Sequence, residues 1–344
     1  MEIENKQVLD FIKKVAPGTP LRTVIDDLLR SNLGALIVID SPELTPLING
    51  GFRINCRFTS QRLFELCKMD GAVVISPDLK RILHANVLLA PDPSIHTSET
   101  GTRHIAGERT AKHANTFVIA VSERRKKTTL FLPKSKQYLR SLDEILREVS
   151  SSLQVLEEQR SILDELVSKL TVLEMSDLVS VSDVCKVLQR AEIMLYISES
   201  IKKYFTELGK EGNIISLRYK ELLRGVDKLK DMVLRDYSIL SLKKADTLLS
   251  NISFEGLLDL DAIARLLIEK GLDDSISSKG FRFFSYLNLL DKEVSQLVDN
   301  FGSLNNIFRA SVEEVSKVLD GRGENILLDM NALKEQVLSG KSIF

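Results

Sequence analysis

Two short segments hold the residue types that chemistry on a phosphorylated ligand requires. Glu99-Thr100-Gly101-Thr102-Arg103-His104 follows a polar stretch and opens a predicted helix. A helix N-terminus presents unpaired amides and a partial positive charge, and Gly101 lets the backbone approach a ligand. Thr102 suits an N-cap or a phosphate donor, while Arg103 and His104 add charge and further donors. The set fits an anion; the alternative is that Thr102 merely caps the helix while Arg103 and His104 face solvent. Asp70, within Lys68-Met69-Asp70-Gly71-Ala72 at the start of a predicted strand, offers a carboxylate for a divalent cation or for a hydroxyl proton. Asp-Gly is also an ordinary turn.

Other signatures are missing. Gly340-Lys341-Ser342 has Glu335 where a phosphate-binding loop needs its first glycine, and no G-x-G-x-x-G occurs. Cys56, Cys67 and Cys185 form no CxxC and fit a reducing compartment, no HExxH or Cys/His cluster exists, and His84, His96 and His113 share no metal-ligand spacing.

The elements that must carry the two segments can be read from periodicity. Ala35–Asp40, Gly71–Ser76, Arg81–Leu89, Thr116–Ser122 and Thr128–Leu132 read as strands, and Leu21–Asn32, Ser60–Lys68 and Thr102–Ala114 as helices. The expected fold is an α/β N-terminal domain over residues 1–140, a mixed sheet flanked by helices. All eight prolines and all four histidines lie there. Residues 141–280 read as a helical spine: apolar positions stepping by three or four from Leu142 to Leu173 make a helix of some thirty residues. A second runs from Val181 to Leu208 with Gly209 as its C′ residue, and a third from about Leu217 to Leu240. Over residues 281–344 short helices at Glu293–Asn300, Ser303–Arg309 and Ser311–Leu319 lead through Asp320-Gly321-Arg322-Gly323-Glu324 into a helix through Asn325–Leu338. Such a helix, Gly-x-Gly turn and helix resemble a helix-hairpin-helix, in which Gly321, Arg322 and Gly323 would meet a DNA backbone; the same turn also closes ordinary helical corners.

Lysine and arginine number 47 against 48 aspartate and glutamate, a formal net charge of −1. That neutrality is an average over unlike parts: the three segments carry net +7, −6 and −2. No run approaches eighteen apolar residues and the start MEIENKQVLDFIKK lacks an apolar leader stretch, so the expectation is a cytoplasmic protein with no membrane partner.

Taken together, Ala16-Pro17-Gly18-Thr19-Pro20-Leu21-Arg22, Gly50-Gly51-Phe52, Lys68-Met69-Asp70-Gly71-Ala72, Ala85-Asn86 with Leu89, Glu99-Thr100-Gly101-Thr102-Arg103-His104 and Val121-Ser122-Glu123-Arg124-Arg125 closely resemble the diadenylate cyclase domain of the bacterial DNA integrity scanning proteins. The helical middle and the hairpin-bearing tail follow in the family's order. The resemblance implies condensation of two ATP into cyclic di-AMP and two diphosphates with Mg²⁺ or Mn²⁺, between protomers that face each other. It makes Asp70 the metal ligand and activator of the 3′-hydroxyl, lets Gly71, Ala72 and Leu89 line the nucleotide, and gives Thr102, Arg103 and His104 the triphosphate, with Ile105, Ala106 and Ser122 nearby. It also implies a homo-oligomer, an octamer by family, and weak, sequence-nonspecific binding of branched DNA in damage signalling and repair.

Two departures from the family pattern are visible. Arg103-His104-Ile105-Ala106-Gly107 stands where the family has Arg-His-Arg-Thr-Ala, so an arginine is lost at Ile105, and Gly107 should loosen the helix by up to about 1 kcal/mol relative to alanine. In the tail, Arg322 takes an apolar place, and the net charge of −2 predicts weak DNA binding. The rival expectation is a catalytically impaired nucleotide- and DNA-junction-binding scaffold of the same fold. Arg124-Arg125-Lys126-Lys127, between two predicted strands, reads either as a solvated turn or as part of the nucleotide channel or a DNA contact.

Overall fold

The computed structural model describes residues 10–287, 289–319 and 322–339. Residues 1–9, Gly321 and Gly340-Lys341-Ser342 lie outside the described residues. The chain divides into two compact units. The first runs through Val149 and takes in Lys203–Ile214; the second comprises Ser150–Lys202 and the chain from Ile215 on.

The first unit is built on an eight-stranded mixed sheet: β1 (Ala35–Ile39), β2 (Ile48–Asn49), β3 (Phe52–Arg57), β4 (Ala72–Ile75), β5 (Arg81–Leu89), β6 (Val118–Ser122), β7 (Lys127–Phe131) and β8 (Lys136–Leu139). The order is β2-β5-β4-β1-β6-β7-β8, with β3 also paired to β5. β1 and β4 are parallel and every other pairing is antiparallel. The central strands alternate strictly between two cores, as a sheet covered on both faces must. Ala35, Ile37 and Ile39 of β1, Val73 and Ile75 of β4, and Ile119 and Val121 of β6 point to one face, where Leu21, Val24, Ile25 and Leu28 of α1 (Pro20–Arg30) and Leu63 of α2 (Ser60–Leu66) cover them. Leu36, Val38, Ala72, Val74, Val118, Ala120 and Phe131 point to the other, beneath Ala106, Ala111 and Ala114 at α3 (Thr102–His113).

α1 begins as its sequence dictates: the Thr19 hydroxyl accepts from the Arg22 amide, and Pro20 stands at the first helical position, where a missing N–H costs nothing. Apart from His104, α3 offers the sheet small residues, among them Ala106, Gly107 and Ala111. A methyl group on Gly107 would stand 3.0 Å from Leu36 Cδ1 and 3.2 Å from Phe131 Cδ2, so the glycine lets the helix lie close on β1 and β7. The flexibility expected of Gly107 is therefore opposed by packing that only a minimal side chain permits.

The periodicity located five strands and the three helices to within a residue or two at most ends. It missed β2, β3 and β8, which are short or lie at the margins of the sheet. In the second unit and its connections, α4 (Leu142–Ser176) and α5 (Val181–Leu208) match the predicted spine. The expected third helix is two, α6 (Asn213–Leu222) and α7 (Val226–Tyr237), because Gly225 adopts a left-handed backbone (φ 78°) that an uninterrupted helix cannot contain. The tail carries α12 (Asp291–Phe301), α13 (Leu304–Arg309), α14 (Val312–Val318) and α15 (Gly323–Leu338), preceded by α8 (Leu242–Ser250), α9 (Phe254–Leu258), α10 (Leu260–Leu267) and α11 (Phe281–Phe284). A buried polar knot holds α4, α7 and α11: Asp236 accepts from the Gly280, Phe281 and Arg282 amides, and the Arg282 guanidinium donates to Thr171 and Glu174.

Candidate functional site

The two chemistry-bearing segments, far apart in sequence, meet in one cleft of about 340 Å³ in the first unit. Leu36 of β1, Asp70, Gly71 and Ala72 at the start of β4, Val87, Leu88 and Leu89 at the end of β5, and Thr102, Arg103 and Ala106 of α3 line it. Two backbone features shape the wall. β5 carries irregularities against β4 between Ala72 and Ile75, with Asn86 in the left-handed region (φ 51°). Gly71 (φ 85°) faces that distortion so closely that a Cβ would stand 2.8 Å from the Val87 carbonyl oxygen and 3.1 Å from its amide nitrogen. Only glycine permits both the conformation and the approach, and it carries Asp70 to the rim beside it.

α3 delivers the cationic side. Gly101 (φ 89°) is its cap residue and makes no side-chain cap bond, so Thr102 is the first helical residue rather than the N-cap. The Thr102 hydroxyl is thus free of capping duty, and the first-turn amides lie open at the cleft. Residues 102, 103 and 106 share one helical face and line the cleft, whereas His104, Ile105 and Ser122 lie outside the lining. His104 sets its ring edge-on to Phe131 at 6.2 Å between centroids. Burial pushes its imidazole below the ordinary value; Glu99 opposes this, and Arg125 and Arg103 reinforce it. Ser122 accepts from the Arg125 amide at 3.2 Å.

The far side of α3 is tied down by the loop that precedes it. Arg109 Nε donates to the Ile95 carbonyl (2.9 Å), Lys112 Nζ to that of His96 (2.8 Å), and the Asp92 amide to His113 Nδ1 (3.1 Å). Glu108 accepts from Thr97 (2.5 Å) and Lys112 (2.7 Å); burial alone would raise its carboxyl, but these bonds outweigh burial and hold it below the ordinary value. Glu99 takes Lys136 at 2.6 Å, and Arg125 donates to the Thr100 hydroxyl at 2.9 Å. The basic turn Arg124-Arg125-Lys126-Lys127 is therefore partly structural, since Arg125 pins the entry to α3.

Asp70 is exposed and is the only carboxylate among the cleft residues. Among the described residues its side chain has no ion pair or hydrogen bond, and no three His, Cys, Asp or Glu side chains converge to hold a metal unaided. One uncommitted carboxylate facing open helix amides fits a cation such as Mg²⁺ that draws its remaining ligands from water and nucleotide phosphates.

Comparison with known proteins agrees with this geometry. Residues 22–135 match the model of the DisA bacterial checkpoint controller nucleotide-binding family, and residues 139–276 that of the DisA bacterial checkpoint controller linker region. The DNA integrity scanning protein DisA of Symbiobacterium thermophilum is 41% identical over 91% of this chain and 91% of its own length. That of Carboxydothermus hydrogenoformans is 40% identical over 97% of this chain and 99% of its own, and one from Clostridium botulinum 36% over 99% and 100%. The chain belongs to the DisA family.

Of the tail residues expected to meet DNA, Arg322 and Gly323 lie among the described residues. Arg322 is ion-paired with Glu293. Gly323 begins α15, and a Cβ there would meet the Ser316 backbone nitrogen at 2.5 Å, so the second hairpin glycine lets α15 close onto α14. Sequence reasoning also missed Leu36, Val87 and Leu88. Leu88, 64% exposed at a strand end beside buried Leu89, carried a readable signal, an apolar side chain that the core does not use. Leu36 and Val87 carried none, being indistinguishable from any alternating core residue. Among the described residues, no helix is long and apolar enough to cross a membrane.

Proposed function

We propose that this DisA family member is a diadenylate cyclase that condenses two ATP into cyclic di-AMP and two diphosphates, in connection with the DNA integrity scanning for which its relatives are named. The observation that carries the reading is the convergence of Asp70, Gly71, Ala72 and Leu89 with Thr102 and Arg103 on one cleft. Leu36, Val87, Leu88 and Leu89 offer an apolar wall for a base, and the α3 amides with Arg103 offer charge for phosphates. The 3′-oxygen of one nucleotide attacks the α-phosphorus of the other, the bond to diphosphate breaks, and the hydroxyl proton leaves toward Asp70. The same exchange in reverse closes the ring.

Such a reaction depends mostly on positioning and charge neutralisation. A bound Mg²⁺ or Mn²⁺, held through Asp70, neutralises phosphate charge. The cleft takes one nucleotide, so the second comes from another copy; a homo-oligomer, an octamer by family, follows. Ile105, where the family has arginine, lowers the rate: it lies in the first turn of α3, from which a long arginine side chain could reach a phosphate that isoleucine cannot bind, and one such contact is worth about 1.5–3 kcal/mol.

DNA is the weaker ligand. The tail is acidic and the Arg322 charge is already paired. Branched DNA therefore binds with little sequence preference and modest affinity. The deciding experiment incubates the full chain with ATP and Mg²⁺ or Mn²⁺ and weighs the product. Cyclic di-AMP that disappears with Asp70→Asn supports the cyclase; none at any protein concentration overturns it in favour of a binding scaffold.

A further inference from the structure

Arg103 is seated in an unusual way. The residue beneath it is Gly34, immediately before β1, and a Cβ built there would stand 2.3 Å from Arg103 Nη1 and 3.2 Å from Cζ. The third neighbour of that position is the Val121 carbonyl oxygen of β6, at 3.4 Å, so the guanidinium occupies the space a side chain would fill at the end of the β1–β6 ladder. Other basic side chains around α3 are committed: Arg109 to Ile95, Lys112 to His96 and Glu108, Arg125 to Thr100. Among the described residues the Arg103 guanidinium has no ion pair and no hydrogen bond.

We propose that Gly34 is a positioning residue for Arg103. The missing side chain is the seat, and the guanidinium lies in it by shape alone, with its N–H donors left for the nucleotide phosphates. A carboxylate in the same place would also orient the arginine, but it would neutralise the charge and occupy the donors that phosphate recognition needs. A glycine seat gives orientation without that competition, which is what a preorganised anion site requires. The backbone of Gly34 lies outside the left-handed region, so alanine is conformationally allowed and the one obstacle to it is Arg103 itself. The inference rests on the reading of the cleft as the ATP site.

Binding of ATP and of adenosine to the full chain, by calorimetry, separates the possibilities in three variants: Gly34→Ala, Arg103→Ala and the double substitution. Melting curves are read first. Gly34→Ala should weaken ATP by about tenfold, the scale of one charge-assisted contact, and leave adenosine unchanged. In the Arg103→Ala background it should change ATP binding by less than about twofold, because residues that act through one another are not additive. The double variant, from which the collision is gone, should melt like Arg103→Ala. Equal losses in both backgrounds, an equal loss of adenosine, or a double variant that unfolds overturns the proposal. If Arg103→Ala weakens ATP while Gly34→Ala does not, the seat fails and the cleft reading stands. If Arg103→Ala itself binds ATP like the parent, both fail.

Discussion

Gly71 and Gly101 provide a matched pair for separating backbone strain from collision. Their φ angles are nearly the same, 85° and 89°, in a range that L side chains rarely adopt, so alanine at either site is strained by about 1–3 kcal/mol. Their surroundings differ completely. A methyl group at Gly101 meets nothing within 4 Å, while at Gly71 it meets the Val87 carbonyl oxygen at 2.8 Å, the Asn86 carbonyl carbon at 2.9 Å and the Val87 amide nitrogen at 3.1 Å. Those are backbone atoms of a paired strand and cannot swing aside, so overpacking adds about 1–3 kcal/mol. Gly101→Ala should therefore cost about 1–3 kcal/mol and Gly71→Ala about 2–6 kcal/mol in urea unfolding of the full chain. Gly71→Ala should also weaken nucleotide binding beyond its stability cost, since the strand that must retreat carries the cleft residues Val87, Leu88 and Leu89. Equal costs for the two alanines would refute the argument that β5 fixes this glycine.

Ile105→Arg should raise cyclic di-AMP formation by about tenfold or more, the equivalent of one recovered arginine–phosphate contact; an unchanged rate would show that position 105 does not limit this chain. Acid should release the loop before α3. The Glu108 carboxyl is held below its ordinary value of 4.5, so its contribution is complete above that pH and is lost as pH falls through the lower folded value. Hydrogen exchange of residues 92–97 should accelerate over that range, and Glu108→Gln should produce the fast exchange already at pH 7. For DNA, the logarithm of affinity should fall with the logarithm of salt at a slope shallower than about −3, and Arg322→Ala should barely change it; a steep slope would reveal a basic surface elsewhere.

How much of this was legible depended on whether a residue's role was local. β1, β4, β5, β6 and β7 declared themselves through β-branched runs, and α3 through Gly101-Thr102, because those signals lie within each segment. The partition of each strand between two cores and the meeting of Asp70 with Arg103 are products of strand order, which no window of sequence contains. The third helix expected from about Leu217 to Leu240 is interrupted at Gly225, whose left-handed φ of 78° the apolar spacing on either side does not reveal. The ion pair of Arg322 with Glu293 could not be read from sequence, because the two stand twenty-nine positions apart and become neighbours only in the folded tail. Thr102 looked like a cap because threonine usually is one, yet the chain enters α3 through Gly101 at an angle that leaves the hydroxyl free.

The irregular pairing of β5 with β4 limits how this protein can change in length. From Ala72 to Ile75 β4 advances three positions, while the partners on β5, Val87 to Ile82, span five. Two extra residues shift the alternation twice and so restore it: Ile82 faces one core, Ala85 the same core out of phase, and Val87 and Leu89 the other. Loss of a single residue between Ile82 and Val87 would leave one shift uncorrected and turn Val87 and Leu89 away from the α3 side, replacing the cleft floor with its back. Loss of two would remove both irregularities, leaving three positions of β5 against three of β4, and would keep the phase and the pairing of Val87 with Ala72. In this stretch the reading frame of the sheet tolerates length changes only in pairs, so natural or designed variants that keep the cleft should differ here by even numbers of residues.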